Sequence, residues 1–494
     1  MTVETVTKFI KKRSYAAASA LTCLVMLAWS AYDSPLYPLY TSGDSSIFML
    51  IGKGITEGKI PYKDLFDHKG PVLFWIEALG WAIGGRTGIW LIETLCAVSS
   101  VLLIMQICRK LNADFLVPTI GTAIVYLSIF GRGNLCENYS LPLVYLSLLF
   151  VVKYYKLGIT PHPPAYAYIY GICFGLLAFI RVNNATVICA FILVIMIRLI
   201  AAKEFGNLAA NLFSGLLGIL TVAAPICLYF YLYGALEDMI FCTFTYNFIY
   251  TTKIVALSGE GLLGKAVTFM PITFTTVYFG HKWLTRDVRE HGQVFYVSFF
   301  SVSAMYLAEL LYTNMSGNYH TPALPLYSVF LATAFPVFRP GELKHVLKER
   351  KFGVWAAGAV LITCLFLRSC LYNLGAPIYR HYLTDACSSR YKDVQECIAV
   401  IPEEERDSVI GYEISTSWYI DSGITPCYKY YSMQHWWSQD DYDVNQAFLD
   451  YVSEVHPLWI ITGTGLREGE LYEILQDNYR LVTEGRWDYY RYNG

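Results

Sequence analysis

An α-helical polytopic membrane protein with about eleven transmembrane helices and a small C-terminal α/β domain is the fold class this sequence predicts. The 494-residue chain is 55% hydrophobic and only 15% charged, with a mean hydropathy of +0.40; a soluble globular chain carries about 25% charged residues. Apolar runs near the ~20-residue length that crosses hydrocarbon recur along most of the chain. After residue 372 the composition changes to charged and turn-rich.

The predicted spans are 15–32, 86–108, 114–131, 139–155, 166–180, 184–201, 208–233, 262–281, 293–313, 321–338 and 352–371. A shorter run at 71–84 ends in Gly84-Gly85 and predicts a tilted, half-buried helix rather than a crossing. Basic residues support that choice. With a cytoplasmic N-terminus, "KFIKKR", "CRKLN", "VKYYKLG", "RLIAAKE", "HKWLTRDVREHG" and "RPGELKHVLKERK" all fall inside, as the positive-inside rule requires. Counting 71–84 as a crossing would put most of them outside. The first run lacks a small-residue cleavage site and reads as a transmembrane helix, not a signal peptide.

This topology divides the chain into a transmembrane module, 1–371, and an extracytoplasmic domain, 372–494. In the latter, "DSVIGYE", "PLWIITG" and "NYRLVTEGRWDYYRYN" are β-branched and aromatic runs bounded by turn residues, and read as strands. "DVNQAFLDYVSEV" and "GELYEILQDN" read as helices between them, which predicts a small α/β domain. Of the thirteen cysteines, Cys387, Cys397 and Cys427 lie in this domain, where two of them can form a disulfide. No cysteine–histidine spacing matches a zinc site. A net charge of −2 argues against nucleic-acid binding.

The polar oddities fall on one side of the membrane. The stretch "GDSSIFMLIGKGITEGKIPYKDLFDHKGP", read as a loop between apolar segments, carries Asp44, Asp67, His68 and Lys69. "GRGNLCENY" carries Arg132 and Glu137, "RVNN" carries Arg181 and Asn183, "YNFIYTT" carries Asn247, and "NMSGNYH" carries Tyr319 and His320. Two carboxylates at the membrane boundary, Asp44 and Glu137, supply a general base and a partner that tunes it. Lys69, Arg132, Arg181 and His320 are cations or potential cations at the same depth, where they suit a phosphate. These pieces describe a reaction on a lipid-borne phosphate. A carboxylate removes the proton of an acceptor hydroxyl as it attacks an anomeric carbon, and the lipid phosphate leaves with inversion.

On "GDSSIFMLIGKGITEGKIPYKDLFDHKGPVLFWIEALG", "RGNLCENYSLPL" and "GNYHTPALPLY" the chain resembles the GT-C superfamily of integral-membrane glycosyltransferases. In layout it is similar to the bacterial aminoarabinose transferases and protein O-mannosyltransferases. The resemblance covers roughly residues 15–340. It implies Asp44 as the base, Glu137 as the acid of the second outer loop, and Lys69 in "HKGP" as the residue around which a donor phosphate sits. Two features depart from the pattern. "GDSS" holds one acid where relatives carry two, and Asp67-His68 stands where the aminoarabinose enzymes have Glu before the lysine. Asp67 therefore either shares the base's work or orients Lys69. The resemblance further implies a polyprenyl-phosphate sugar donor, an extracytoplasmic glycan, lipid or protein acceptor, a plasma-membrane location and no metal or other cofactor. Asn183, Asn247 and Tyr319 are expected to line the substrate site. The rival reading is a transporter or flippase of a lipid-linked glycan. Such proteins place their unusual residues near the bilayer midplane, often in repeated halves, and no halves repeat here.

Overall fold

The computed structural model describes residues 3–37, 43–130, 133–248, 261–285, 292–312, 317–335, 350–384, 386–434, 438 and 441–494. Over the described residues the predicted apolar runs fall on helical segments. Among the described residues, six helices are long and apolar enough to cross a membrane: Pro71–Lys110, Cys136–Leu157, Val182–Ala201, Phe205–Leu232, Gly292–Tyr312 and Gly353–Leu383. Ser14–Ser30, Leu116–Ile129 and Pro164–Ala178 are shorter apolar helices. The runs near 262–281 and 321–338 fall on Leu262–Thr268 with Met270–Leu284, and on Leu324–Ala334. The protein is a multi-pass membrane protein. It divides into two units. One comprises Met1–Ala31, Leu91–Leu232 and Thr243–Ala376; the other comprises Tyr32–Trp90, Tyr233–Cys242 and Pro377–Gly494.

The first unit is a helical bundle held by small residues and interhelical hydroxyls, the two devices that let helices associate in lipid. Pro164–Ala178 packs on Phe205–Leu232 at glycines. A Cβ on Gly171 would lie 2.1 Å from the Gly215 carbonyl oxygen, and one on Gly218 would lie 2.3 Å from that of Tyr168. Elsewhere Ser328 joins Thr122 at 2.8 Å and Tyr145 at 2.6 Å, both fully inside the bundle. Aromatic rings of Phe274, Tyr278, Phe330 and Trp355 meet edge to face around a common core.

The second unit contains the sheet. β1 (Val409–Tyr412), β2 (Trp459–Gly463), β3 (Tyr479–Thr483) and β4 (Trp487–Tyr492) are ordered β1-β2-β4-β3. β1 and β2 are parallel, and the other pairs are antiparallel. Tyr442–Val455 and Glu470–Asn478 are the two expected helices. The stretch 427–433 covers the free edge of β1, through Cys427 N to Val409 O, Gly411 N to Tyr431 O and Glu413 N to Met433 O. Cys397 and Cys427 are both free, so the expected disulfide does not form. Cys427 Sγ instead accepts a hydrogen bond from the Tyr451 hydroxyl at 3.6 Å.

Two features of this unit shape the site. The segment expected as a loop is half helix: Gly43–Thr56 is helical, with Ser45 through Gly54 buried. Its five-residue apolar centre, "IFMLI", is too short to span, but it buries well against protein. Lys53 is satisfied there by the Gly423 carbonyl at 2.6 Å, Thr425 at 2.8 Å and Glu57 at 3.4 Å. The second feature is a reversal. Within Pro71–Lys110, Gly84 and Gly85 leave helical geometry, and Gly85 takes φ 58°. A Cβ on Gly88 would lie 2.0 Å from the Gly80 carbonyl oxygen. Residues eight apart in a continuous helix lie ~12 Å apart, so the chain doubles back and the arm 71–83 is not part of the crossing. Gly88→Ala is expected to force the arms apart. It should cost about 1–3 kcal/mol and appear as a lowered thermal midpoint of the purified protein.

Candidate functional site

The expected site residues fall into two groups, one in each unit. The first lies on the loop after Gly43–Thr56. Asp44 occupies the first turn of that helix and is exposed; a carboxylate is favoured there by the unpaired amides and the helix dipole. The loop is pinned at both ends. Ile60 N donates to Asp64 Oδ2 at 2.6 Å, Tyr62 OH donates to the Lys69 carbonyl at 2.7 Å, and Phe66 N donates to the Lys429 carbonyl at 3.0 Å. Asp64 is thus a turn residue, whereas the neighbouring Asp67 is only 3% exposed.

His68 and Lys69 are joined by a hydrogen bond, and Asp67 lies close to the other nitrogen of the imidazole. A lysine ammonium can only donate, so Lys69 Nζ, 2.7 Å from His68 Nε2, donates to it. That places the proton of a neutral His68 on Nδ1, which lies 3.3 Å from Asp67 Oδ1. The backbone amides of His68 and Lys69 also bond to Asp67. Even so, burial holds the Asp67 carboxyl above its ordinary range. Lys69 and the two amides oppose the shift, and Asp44 adds to it. Asp44 is therefore close enough to disfavour a charge on Asp67.

The second group is built around a buried ion pair. Glu137, fully buried in the first turn of Cys136–Leu157, pairs with Arg181, which precedes the turn Val182–Ala185. The Arg181 guanidinium lies over the Tyr319 ring, 3.7 Å from its centroid. Tyr306 OH donates to the Tyr319 carbonyl at 2.5 Å and holds that ring's backbone in place. Beside the pair, Asn184 Nδ2 donates to Ser140 Oγ at 2.8 Å. Asn183 is half-buried in the same turn. His320 is 1% exposed and stacks on Phe269 with centroids 6.0 Å apart; among the described residues neither ring nitrogen has a hydrogen-bond partner. Burial pushes its pKa down to about 4, so the ring is neutral near pH 7. Asn247 donates to the Thr243 carbonyl one turn back along its own helix at 2.8 Å. Arg132 lies outside the described residues.

One residue that orders this group was not singled out in the sequence. Glu93, 1% exposed, accepts from Asn134 N at 3.0 Å and Asn138 Nδ2 at 2.6 Å. It thereby fixes the turn through Gly133 and Asn134, which takes positive φ at both residues and leads into the helix that presents Glu137. Glu309, also unremarked, bonds Thr186 and lies within electrostatic reach of Arg181. Both are lone acids in apolar runs, and an ionisable residue inside a membrane segment marks function by default.

The chain belongs to the family of the competence-induced protein Ccs4 N-terminal domain, whose model matches residues 6–375. It matches no curated protein. Its fold is similar to the crystal structure of ArnT from Cupriavidus metallidurans bound to undecaprenyl phosphate. That similarity covers 97% of this chain and 98% of the other, with a TM-score of 0.56 and 12% sequence identity. The likeness is one of fold, and it extends over nearly the whole chain.

Two outcomes are expected from these geometries. Glu137→Gln leaves Arg181 buried with a weakened partner and should cost about 3–5 kcal/mol; the Glu137→Gln/Arg181→Gln double variant should lose less than the sum of the singles in thermal unfolding. For Asp67 the sign is opposite. Its folded pKa lies above the unfolded value of about 3.9, so the stability it contributes is full at acid pH. That contribution is lost as pH rises through the window between the two values. Asp67→Asn should therefore raise the thermal midpoint at pH 7, with the advantage vanishing below about pH 4.

Proposed function

We propose that the protein is an inverting glycosyltransferase of the membrane. It moves a sugar from a polyprenyl-phosphate-linked donor to a hydroxyl of an extracytoplasmic glycan, lipid or protein. The observation that carries this reading is Asp44 at the start of Gly43–Thr56 with Asp67, His68 and Lys69 on the loop that follows it. Together they supply an exposed carboxylate at a helix N-terminus and a positioned cation. The fold, shared with a protein solved with undecaprenyl phosphate bound, supports a lipid phosphate as the group that the cation meets.

In this reading Asp44 takes the proton from the acceptor hydroxyl as its oxygen attacks the anomeric carbon. The bond between that carbon and the phosphate oxygen breaks, and the electron pair leaves with the lipid phosphate. Lys69 neutralises the charge that develops there, which is where preorganised charge lowers a barrier most. Asp67 orients His68, and His68 orients Lys69; Asp67's raised pKa leaves it poorly suited to hold a second full negative charge beside Asp44. In the first unit, Arg181, held by Glu137 and Tyr319, and His320 form their own group of proposed anion contacts. Asn183, Asn247 and Tyr319 serve as lining groups. No metal is invoked. The N-terminus is placed in the cytoplasm and the domain after residue 372 outside, the arrangement that keeps the basic clusters inside.

Native mass spectrometry of the purified protein with undecaprenyl phosphate tests the proposal without knowledge of sugar or acceptor. The lipid should bind, and Lys69→Ala should weaken it about tenfold or more, the cost of losing a charge-assisted contact. No binding, or binding indifferent to Lys69, would refute the assignment.

A further inference from the structure

A cavity lies at the end of the helices flanking Glu137 and Arg181 that is opposite those two residues. Glu137 opens Cys136–Leu157 and Arg181 follows Pro164–Ala178; His162 lies on the short connection between those two helices. A helix of that length separates the two places by ~30 Å. The cavity has a volume of about 140 Å³ and runs between Pro164–Ala178, Thr186–Ala201 and Phe205–Leu232. Apolar cavities of about 150 Å³ hold a benzene-sized group. Leu212 and Leu216, which line it, are 42% and 58% exposed on the bundle's apolar surface, so the cavity opens towards lipid.

Its walls are apolar except at His162, Asn211 and Tyr170, and the histidine's tautomer can be deduced. Asn207 holds the His162 backbone, accepting from its N at 2.8 Å and donating to its O at 3.0 Å. Asn211 Nδ2 donates to the His162 carbonyl at 2.9 Å and to the Asn207 carbonyl at 2.8 Å. With its amide hydrogens so used, the Asn211 oxygen, 2.6 Å from His162 Nδ1, must accept, which puts the ring proton on Nδ1. Nε2 is left as a pure acceptor. Among the described residues it has no partner, and neither does the Tyr170 hydroxyl. His162 is 1% and Tyr170 3% exposed, and their rings lie 5.6 Å apart. Burial pushes the His162 pKa down to about 4, in keeping with a ring that stays neutral. An unpaired buried polar atom is costly, and here two such atoms belong to residues that line one lipid-open cavity.

We propose that this cavity binds a membrane-borne neutral amphiphile carrying a hydroxyl. The hydroxyl would donate to His162 Nε2 and accept from Tyr170, and the first carbons of its chain would fill the apolar space. A neutral ring with only a lone pair to offer would repel an anionic oxygen, so the site selects an alcohol over a phosphate. The ligand class, place and recognition chemistry all differ from those of the lipid-phosphate reading, and the two stand or fall separately.

The test uses the full chain in lipid nanodiscs and a tetradecanol bearing a photoreactive diazirine, with the equivalent probe lacking the hydroxyl as control. Cross-links mapped by mass spectrometry should fall on Thr186–Ala201 and Phe205–Leu232 near Ile195 and Leu212. Tyr170→Phe, which removes one oxygen, and His162→Phe should each lower labelling by the alcohol about fivefold, the scale of one buried hydrogen bond. Labelling by the hydroxyl-free probe should be weak and unchanged. Equal labelling by both probes, or alcohol labelling that ignores Tyr170→Phe, would overturn the proposal and leave the two atoms to water.

Discussion

The first unit depends on one interaction, the ion pair between Glu137 and Arg181. Taking two charges out of water is expensive, and their attraction offsets that cost only when the geometry is good and the remaining lone pairs are met. Among the described residues Glu137 Oε2 has no hydrogen-bond partner, so the surrounding structure positions the pair rather than satisfying it. Glu93 shapes the turn that starts the Glu137 helix, and Asn184 meets Ser140 beside it. Tyr319 lies flat under the guanidinium, and Tyr306 holds Tyr319. Such a pair is weak support for stability against an apolar alternative of similar volume. Its retention is better understood as fixing where a positive charge is displayed.

The second unit solves a different problem. Its loop places carboxyl, imidazole and ammonium groups within three consecutive residues, so most of the ordering is local and needs few long-range contacts. The cost falls on Asp67, a buried carboxyl whose charged form is disfavoured. A sequence selected for stability alone would not keep it. Functional sites are where such local conflicts are expected to survive.

The sequence made the helices legible because spanning runs are long, and the C-terminal strands because their β-branched and aromatic residues are bounded by turns. The helix end at Gly84-Gly85 was legible for a related reason, since a glycine pair closes a short apolar run, but that the chain doubles back there was not. What stayed hidden lacks a periodic signal. The helix Gly43–Thr56 is short and lies among charged residues, so its composition resembles a loop, and only the protein packed around it reveals why it is buried. Glu93 sits inside an apolar run and draws its importance from Asn134 and Asn138, over forty residues away in the chain. A free Cys397 and Cys427 could not be told from a bonded pair by composition, because bridging depends on distance between the cysteines and not on their number.

The central claim is that the exposed carboxylate of Asp44, at the start of Gly43–Thr56, removes the acceptor's proton while the lipid phosphate leaves. The most direct measurement follows release of free undecaprenyl phosphate from a pool of undecaprenyl-phosphate-linked sugars. The full-length protein would be reconstituted in vesicles with native membrane material as acceptor, comparing wild type with Asp44→Asn. The account predicts that wild type releases the lipid phosphate with turnover, and that Asp44→Asn retains donor binding but releases about a hundredfold less or lower still, the scale of losing a general base. Equal release by both proteins, or none by either, would contradict it.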